Sequence, residues 1–346
     1  MPKTLRTPDG SNWGRWGWDD TVGTLNLVTS KVRKSAWRAG VKTGDAFCLS
    51  LPLDTPRGVV LNENRLPPVI RPNLRFGVPN FHVDLSLYLE ETSGVLSDDL
   101  AVLHLQYSTQ WDALAHYGVL FDADGNGEKL HFYNGFTGQS SRGPNGVEDA
   151  GFGRKTTSHL GPLSVDAISK VPLQTRAVLV DLERAFGRDA GVLGWNEIEQ
   201  ELSRLQVDMR PGDVLLVRTG FAGVLKDKPE ELSSYTISLD GNDTKLKEWI
   251  RTSGIAAIAA DNLAVEGTPA RVRKNLPCVS EEAKAAYLPL HEHCLFKLGM
   301  PLGELWYLDE LAEQMHETNR TYCLLSAPPL RLPGASGSPL TPIATL

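Results

Sequence analysis

Within the stretch QYSTQWDALAH, two amides (Gln106 and Gln110), a carboxylate (Asp112) and an imidazole (His116) fall inside eleven residues. A carboxylate and an imidazole projecting from one turn of chain are the minimum needed to hold a divalent metal, or to pass a proton to and from water. An amide adds a weakly basic oxygen and two N–H donors, useful for holding a substrate or a developing oxyanion. The same residues also have a purely structural account. Thr109 followed three positions later by Asp112 has the form of a capping box with the shorter acid, which predicts that a helix starts here. Asp112 and His116 would then share a face at i and i+4 and bond to each other. On this stretch alone both readings stand.

Other groups carry weaker signals. His291-Glu292-His293 on a strand would aim both rings to one side, but AKAAYLPLHEHCLFKLG has helical character after Pro289. One ring then faces a site, and His293 is expected at the surface or behind a ligand. Asp122, Asp124, Asn126 and Gly127 begin a calcium-loop pattern, yet Tyr133 stands where a bidentate Glu is required, so a Gly-rich surface turn is expected. Asp261 would end a buried strand, a usual place for functional groups, or cap the next turn with Asn262. Trp13, Trp16 and Trp18 either fold over a pocket or anchor the N-terminal arm. Cys48, Cys278, Cys294 and Cys323 form no CxxC or metal-finger spacing and are expected as buried, reduced thiols. No GxxxxGK[ST], GxGxxG after a strand, GxSxG or HExxH occurs, which argues against nucleotide cofactors, serine hydrolase chemistry and zincin chemistry.

The elements that must position these groups are partly legible. AVLVDL (177–182), DVLLVRT (213–219) and GIAAIAAD (254–261) are short Val-, Leu- and Ala-rich runs suited to buried strands. Between the first two, NEIEQELSRL places Ile198, Leu202 and Leu205 at helical spacing after a cap at Asn196. EEAKAAYLPLHEHCLFKLG and ELWYLDELAEQM have helical character too. Strands interleaved with helices indicate an α/β protein. Residues 1–100, rich in Pro, Gly and Asn, predict a loop-rich arm wrapping a core of 101–346 in one domain.

Composition bounds the partners. A net charge of −7, with no basic patch, makes nucleic acid an improbable ligand. Hydrophobic and charged fractions of 41% and 22% are those of a globular protein, and no run of about 18 apolar residues suits a membrane span. With no apolar leader at the N-terminus, a cytoplasmic location is expected.

Taken in order, WGRWGWDDTVGTLNLV, QWD with His116 and FYNG, RPGDVLLVRTGF, GIAAIAADNLAVEG, LHEHCLFKLGMPLGELW and PPLRLPGASGSP resemble blocks of the cyclase family that includes kynurenine formamidase and isatin hydrolase. The family signature is His-x-x-x-(Thr)-His-x-Asp-x-x-x-His. Its first two histidines and aspartate bind Zn or Mn, and its last histidine gives and takes a proton. The pattern falls here on Gln106, Gln110, Asp112 and His116, with Thr109 in the threonine's place; both ligand histidines are glutamines. The chain is similar to a larger branch in which QWD replaces HxD. By position, His291 and Glu304 look like the later histidine and glutamate of the metal site.

The resemblance implies a β/β/α swivelling-domain fold with long N-terminal arms, and a homo-oligomer, dimer or tetramer. It implies a hydrolase of an amide, lactam or ester bond in a small cyclic or carbonyl-containing molecule. His116 would be the general acid/base and Asp112 its orienting partner or a metal ligand with His291 and Glu304. Gln106 and Gln110 would bind metal weakly or hold substrate, and Trp111, Tyr133 and Trp18 would face substrate. Amide oxygens are poorer ligands than imidazoles, so the metal, Mn or Zn in the family, would be held more loosely, or lost. The alternatives are a metal-free cyclase, lyase or isomerase using His116 and Asp112 for proton transfer, and a non-catalytic small-molecule binder.

Overall fold

The computed structural model describes residues 5–138, 156, 158–267 and 286–346. A nine-stranded sheet forms the body of a mixed α/β fold. In spatial order its strands are Ala46–Cys48, Ile343–Thr345, Tyr322–Ser326, Gln174–Asp181, Val214–Arg218, Ala257–Ala260, Leu302–Glu304, Gln110–Asp112 and Gly337–Pro339. The run from Gln174–Asp181 to Leu302–Glu304 is parallel, and the remaining pairings are antiparallel.

The three apolar runs singled out in the sequence are parallel neighbours, almost wholly buried, as strands covered on both faces should be. Parallel neighbours need long crossovers, and helices Trp195–Arg204 and Thr244–Ser253 supply them. The first buries Ile198 and Leu202 as the spacing requires, but its cap is Gly194, not Asn196. Glu197 folds back to accept the Gly194 amide at 2.9 Å, and Asp243 accepts that of Trp195 at 2.7 Å, so two orphan donors are met without an Asn side chain. Asp309–Glu317 is helical as expected, whereas Glu304, the first residue of the same stretch, ends the strand Leu302–Glu304.

The N-terminal hundred residues divide. Helix Ser30–Gly40, capped by Thr29, packs on strands Gln174–Asp181 and Tyr322–Ser326. The buried Trp13 indole donates to the Phe296 carbonyl at 2.8 Å and sits edge-on to Phe296, so it is the anchor among the three early tryptophans. Residues 60–100, by contrast, form three small two-stranded ribbons, 69–72 with 99–102, 74–75 with 78–79 and 83–84 with 95–96. Cys294 and Cys323 are buried free thiols, Cys48 is exposed on the edge strand, contrary to expectation, and Cys278 lies outside the described residues. No helix of the described residues is long and apolar enough to cross a membrane.

Candidate functional site

The helix expected to start at Thr109 is not there; Gln110–Asp112 is a strand wedged between Leu302–Glu304 and Gly337–Pro339. Tertiary contacts override the capping pattern. Thr109 Oγ1 does not cap: it donates to the Leu305 carbonyl at 2.5 Å and accepts the Leu51 amide at 2.9 Å. Strand alternation then sends Trp111 to one face and Gln110 and Asp112 to the other. Trp111 is 1% exposed, edge-on to Trp306 with centroids 5.0 Å apart, and donates to the Ala327 carbonyl at 2.8 Å.

On the opposite face the acids and rings converge. Glu304 is the cross-strand partner of Gln110, whose Nε2 donates to Glu304 Oε2 at 2.9 Å and lies 3.4 Å from Asp112 Oδ1. His291 Nε2 lies 3.3 Å from Glu304 Oε1 and 3.8 Å from Asp112 Oδ2. The turn after the strand swings His116 back, so that its Nε2 lies 3.9 Å from Asp112 Oδ1. Asp112, Glu304 and His291 are closed off from solvent, while the His116 side chain remains 22% exposed.

Two residues that the sequence did not single out complete the cluster. Glu266 Oε1 accepts both the backbone amide and Nδ1 of His291, each at 2.9 Å, and Oε2 accepts the Leu290 amide at 2.8 Å. One buried carboxylate thereby caps the short helix Pro289–His291 and fixes the ring so that Nε2 faces Asp112 and Glu304. Ala264 and Val265, just before it, both have positive φ, 71° and 60°, an unusual conformation for a β-branched residue and a mark of a constrained loop. Arg65, at the base of the ribbons, donates to the Gln106 carbonyl at 2.8 Å and brings Nη1 to 3.8 Å from Glu304 Oε2.

Burial pushes the Asp112 carboxyl above its ordinary value; His116 pulls against this and Glu304 adds to it. Glu304 is equally dry, but its bond and ion pair with His291 carry it the other way, below its ordinary value. For His291 burial favours the neutral ring, yet the bonds to Glu266 and Glu304 outweigh it and raise the imidazole to about 10. Two carboxylates in one dry site do not both ionise cheaply without a compensating cation.

Several expectations are corrected. Trp111 and Tyr133 have no free surface for a substrate: Tyr133 is fully buried and its hydroxyl donates to Asp20 at 2.9 Å. Trp18 is 49% exposed and lies over Gly14. The Gln106 amide donates to Ser336 Oγ at 2.8 Å. His293, expected at the surface or behind a ligand, is buried in the π-helical turns Glu292–Leu298, with Nε2 2.8 Å from the Lys247 carbonyl. Asp261 caps not the next turn but the exit of the neighbouring strand, accepting Thr219 N, Thr219 Oγ1 and Gly220 N at 2.6–2.8 Å. The Gly-rich surface turn expected at Asp124 and Asn126 is present, with Asp124 paired to Lys129 at 2.6 Å.

The residues fit a divalent cation. Ligating atoms of Asp112, His116 and His291 all lie within 4.8 Å of one another. Asp112 Oδ2 and Gln110 Oε1 are buried oxygens without a hydrogen-bond partner, the kind of orphan that a cation satisfies.

A family model described as "Putative cyclase" matches residues 83–267, more than half of the 346-residue chain. The chain belongs to the cyclase family. A crystal structure described as a novel cyclase superposes with a TM-score of 0.73 at 29% identity, covering 97% of each chain. Isatin hydrolase A from Ralstonia solanacearum matches with a TM-score of 0.52 at 16% identity, over 87% of this chain and 91% of that one. Isatin hydrolase A from Labrenzia aggregata, bound to benzyl benzoate, gives 0.53 at 16% identity over 93% and 98%. The mixed α/β body is the fold that these cyclase-family proteins share. No protein among those with curated function matches the sequence.

Proposed function

We propose that the protein is a metal-dependent hydrolase that opens an amide, lactam or ester bond in a small, carbonyl-containing molecule. The observation that carries this reading is the dry convergence of Asp112, His291 and Glu304, with one unpartnered carboxylate oxygen, beside a single solvent-touching imidazole. Asp112, His291 and Glu304 would hold the ion. When bound, a divalent ion supplies a Lewis acid that polarises a carbonyl and makes water more acidic.

The chain's own residues do the rest. His116, the one ring of the cluster with a path to solvent, removes a proton from water as its oxygen attacks the carbonyl carbon. It returns that proton to the leaving nitrogen or oxygen as the bond to carbon breaks, so the imidazole ends as it began. Glu266 holds His291 by Nδ1 and keeps Nε2 toward Asp112 and Glu304, where it would serve as a ligand. Gln110, standing where a ligand imidazole stands in the family pattern, binds Glu304 and Asp112 from the side through its N–H group. This leaves two carboxylates and one imidazole as strong donors, a set that favours Mn or Mg over Zn.

The cluster of ligating atoms includes His116, so this ring has two candidate roles. His116→Ala separates them. As a proton carrier, its loss abolishes turnover and leaves Mn binding within a few-fold; as a ligand, it weakens both. Isatin, named in the neighbours' descriptions, is the first compound to assay. A second reading, a metal-free proton-transfer enzyme, draws support from the His291–Glu304 pair, which can neutralise part of the site with no cation. Equal turnover with and without chelator would favour it.

A further inference from the structure

Beside the buried acids, two side chains are open to solvent. His116 is one, and the other is Arg65, 21% exposed, whereas Asp112, His291, Glu304 and Glu266 are exposed by 3% or less. Arg65 is not committed to Glu304. Its Nη1 lies 3.8 Å from Glu304 Oε2, beyond hydrogen-bond range, and that oxygen already accepts Gln110 Nε2 at 2.9 Å. The bond that Nη1 makes, to the Gln106 carbonyl at 2.8 Å, uses one of the five N–H donors of a guanidinium. The backbone carrying Arg65 is pinned to the segments that build the site. Tyr107 Oη donates to the Pro56 carbonyl at 2.6 Å, Ser108 Oγ donates to that of Pro52 at 3.2 Å, and Leu61 packs on the small apolar cluster of Leu51 and Leu305. A narrow cleft lined by Leu61, Arg65, Gln106 and Leu263 lies beside it. A fixed cation with spare donors in a planar fork suits an oxygen that gains negative charge.

We propose that Arg65 binds the carbonyl oxygen of the substrate as it becomes an oxyanion, and then the carboxylate of the product. This rests on the hydrolase reading and gives the arm a residue at the reacting centre. As the water oxygen bonds to the carbonyl carbon, the π pair moves onto the carbonyl oxygen, which accepts from the Arg65 N–H groups. The pair returns as the bond to the leaving nitrogen or oxygen breaks, and the leaving atom takes its proton from His116. The formal charges agree with this assignment. Asp112, Glu304 and Glu266 carry three negative charges, against two on a divalent ion and one on Arg65, with His291 neutral as a ligand. The charge that develops on oxygen then enters a site with no net negative charge to repel it.

Titration calorimetry with Mn, and with benzoate as a small carboxylate probe, tests this without turnover. Arg65→Gln should bind Mn within a few-fold of the wild type, while benzoate binding to the Mn-loaded protein weakens about tenfold or more. Arg57→Gln, at an exposed arginine earlier in the same segment, leaves both affinities unchanged. In turnover, Arg65→Gln lowers kcat about 100-fold or more and changes KM far less. Added guanidinium restores part of the activity of Arg65→Ala, a rescue that a misfolded protein does not give. Benzoate bound equally by the wild type and Arg65→Gln, or Mn binding lost together with the arginine, would overturn the proposal. A wild type that binds benzoate through Arg65 yet opens neither isatin nor a panel of aryl esters and lactams upholds the carboxylate contact and overturns the hydrolase reading instead.

Discussion

Glu266 Oε1 lies 2.9 Å from Nδ1 of His291 and 2.9 Å from the same residue's backbone nitrogen, so one oxygen fixes both the helix start and the ring. The consequence is a ring that cannot rotate without breaking its bond to a buried acid, which the backbone of the same residue holds in place.

Glu266→Gln keeps the shape but weakens the hold on Nδ1. Mn affinity, measured by titration calorimetry, should fall about 10- to 100-fold, while the apo fold survives. Unchanged affinity would mean that the carboxylate only caps the helix.

Gln110→His introduces an imidazole beside Glu304 and Asp112. The expected result is a shift in preference toward Zn, read by competition between Zn and Mn for the purified variant. If the ratio of affinities does not move, Gln110 is not placed at the ion.

Thr109 ties the site strand to Leu305 and Leu51 through one hydroxyl. Thr109→Val strands a buried amide and a carbonyl, so urea unfolding should show a loss of about 1–3 kcal/mol. A loss within error would show that the strand is held by its neighbours alone.

Tyr133 is held above its ordinary value of 10.0, first by burial and then by the charge and hydrogen bond of Asp20. A raised pKa means that the folded protein keeps a proton which the unfolded chain gives up. Its contribution is therefore complete below pH 10 and is lost as pH rises beyond it. Tyr133→Phe should be less stable at neutral pH by about 1 kcal/mol and should show a shallower alkaline decline. Parallel pH curves for the two proteins would contradict this.

The sequence exposed the buried parallel strands because both faces of each are covered, which leaves an unbroken apolar run. It also brought Asp112, His116, His291 and Glu304 forward as a set, the first two by type and spacing, the others by their positions in a family pattern. What it hid depended on contacts between distant segments. The Thr109–Asp112 pattern fits a helix locally, and only the slot for Trp111 and the long-range bonds of Thr109 make it a strand. Glu266 carries no local motif; its one sequence signal is a position shortly after a buried strand ends at Ala260. Arg65 comes from the arm, where the chain gives no periodicity to follow.

The most direct measurement is anomalous scattering from crystals of the full chain grown with Mn. The account predicts a single strong peak within bonding distance of Asp112 Oδ2, His291 Nε2 and Glu304, absent in crystals of Asp112→Asn. A site that stays empty at saturating Mn, with turnover intact, would contradict it.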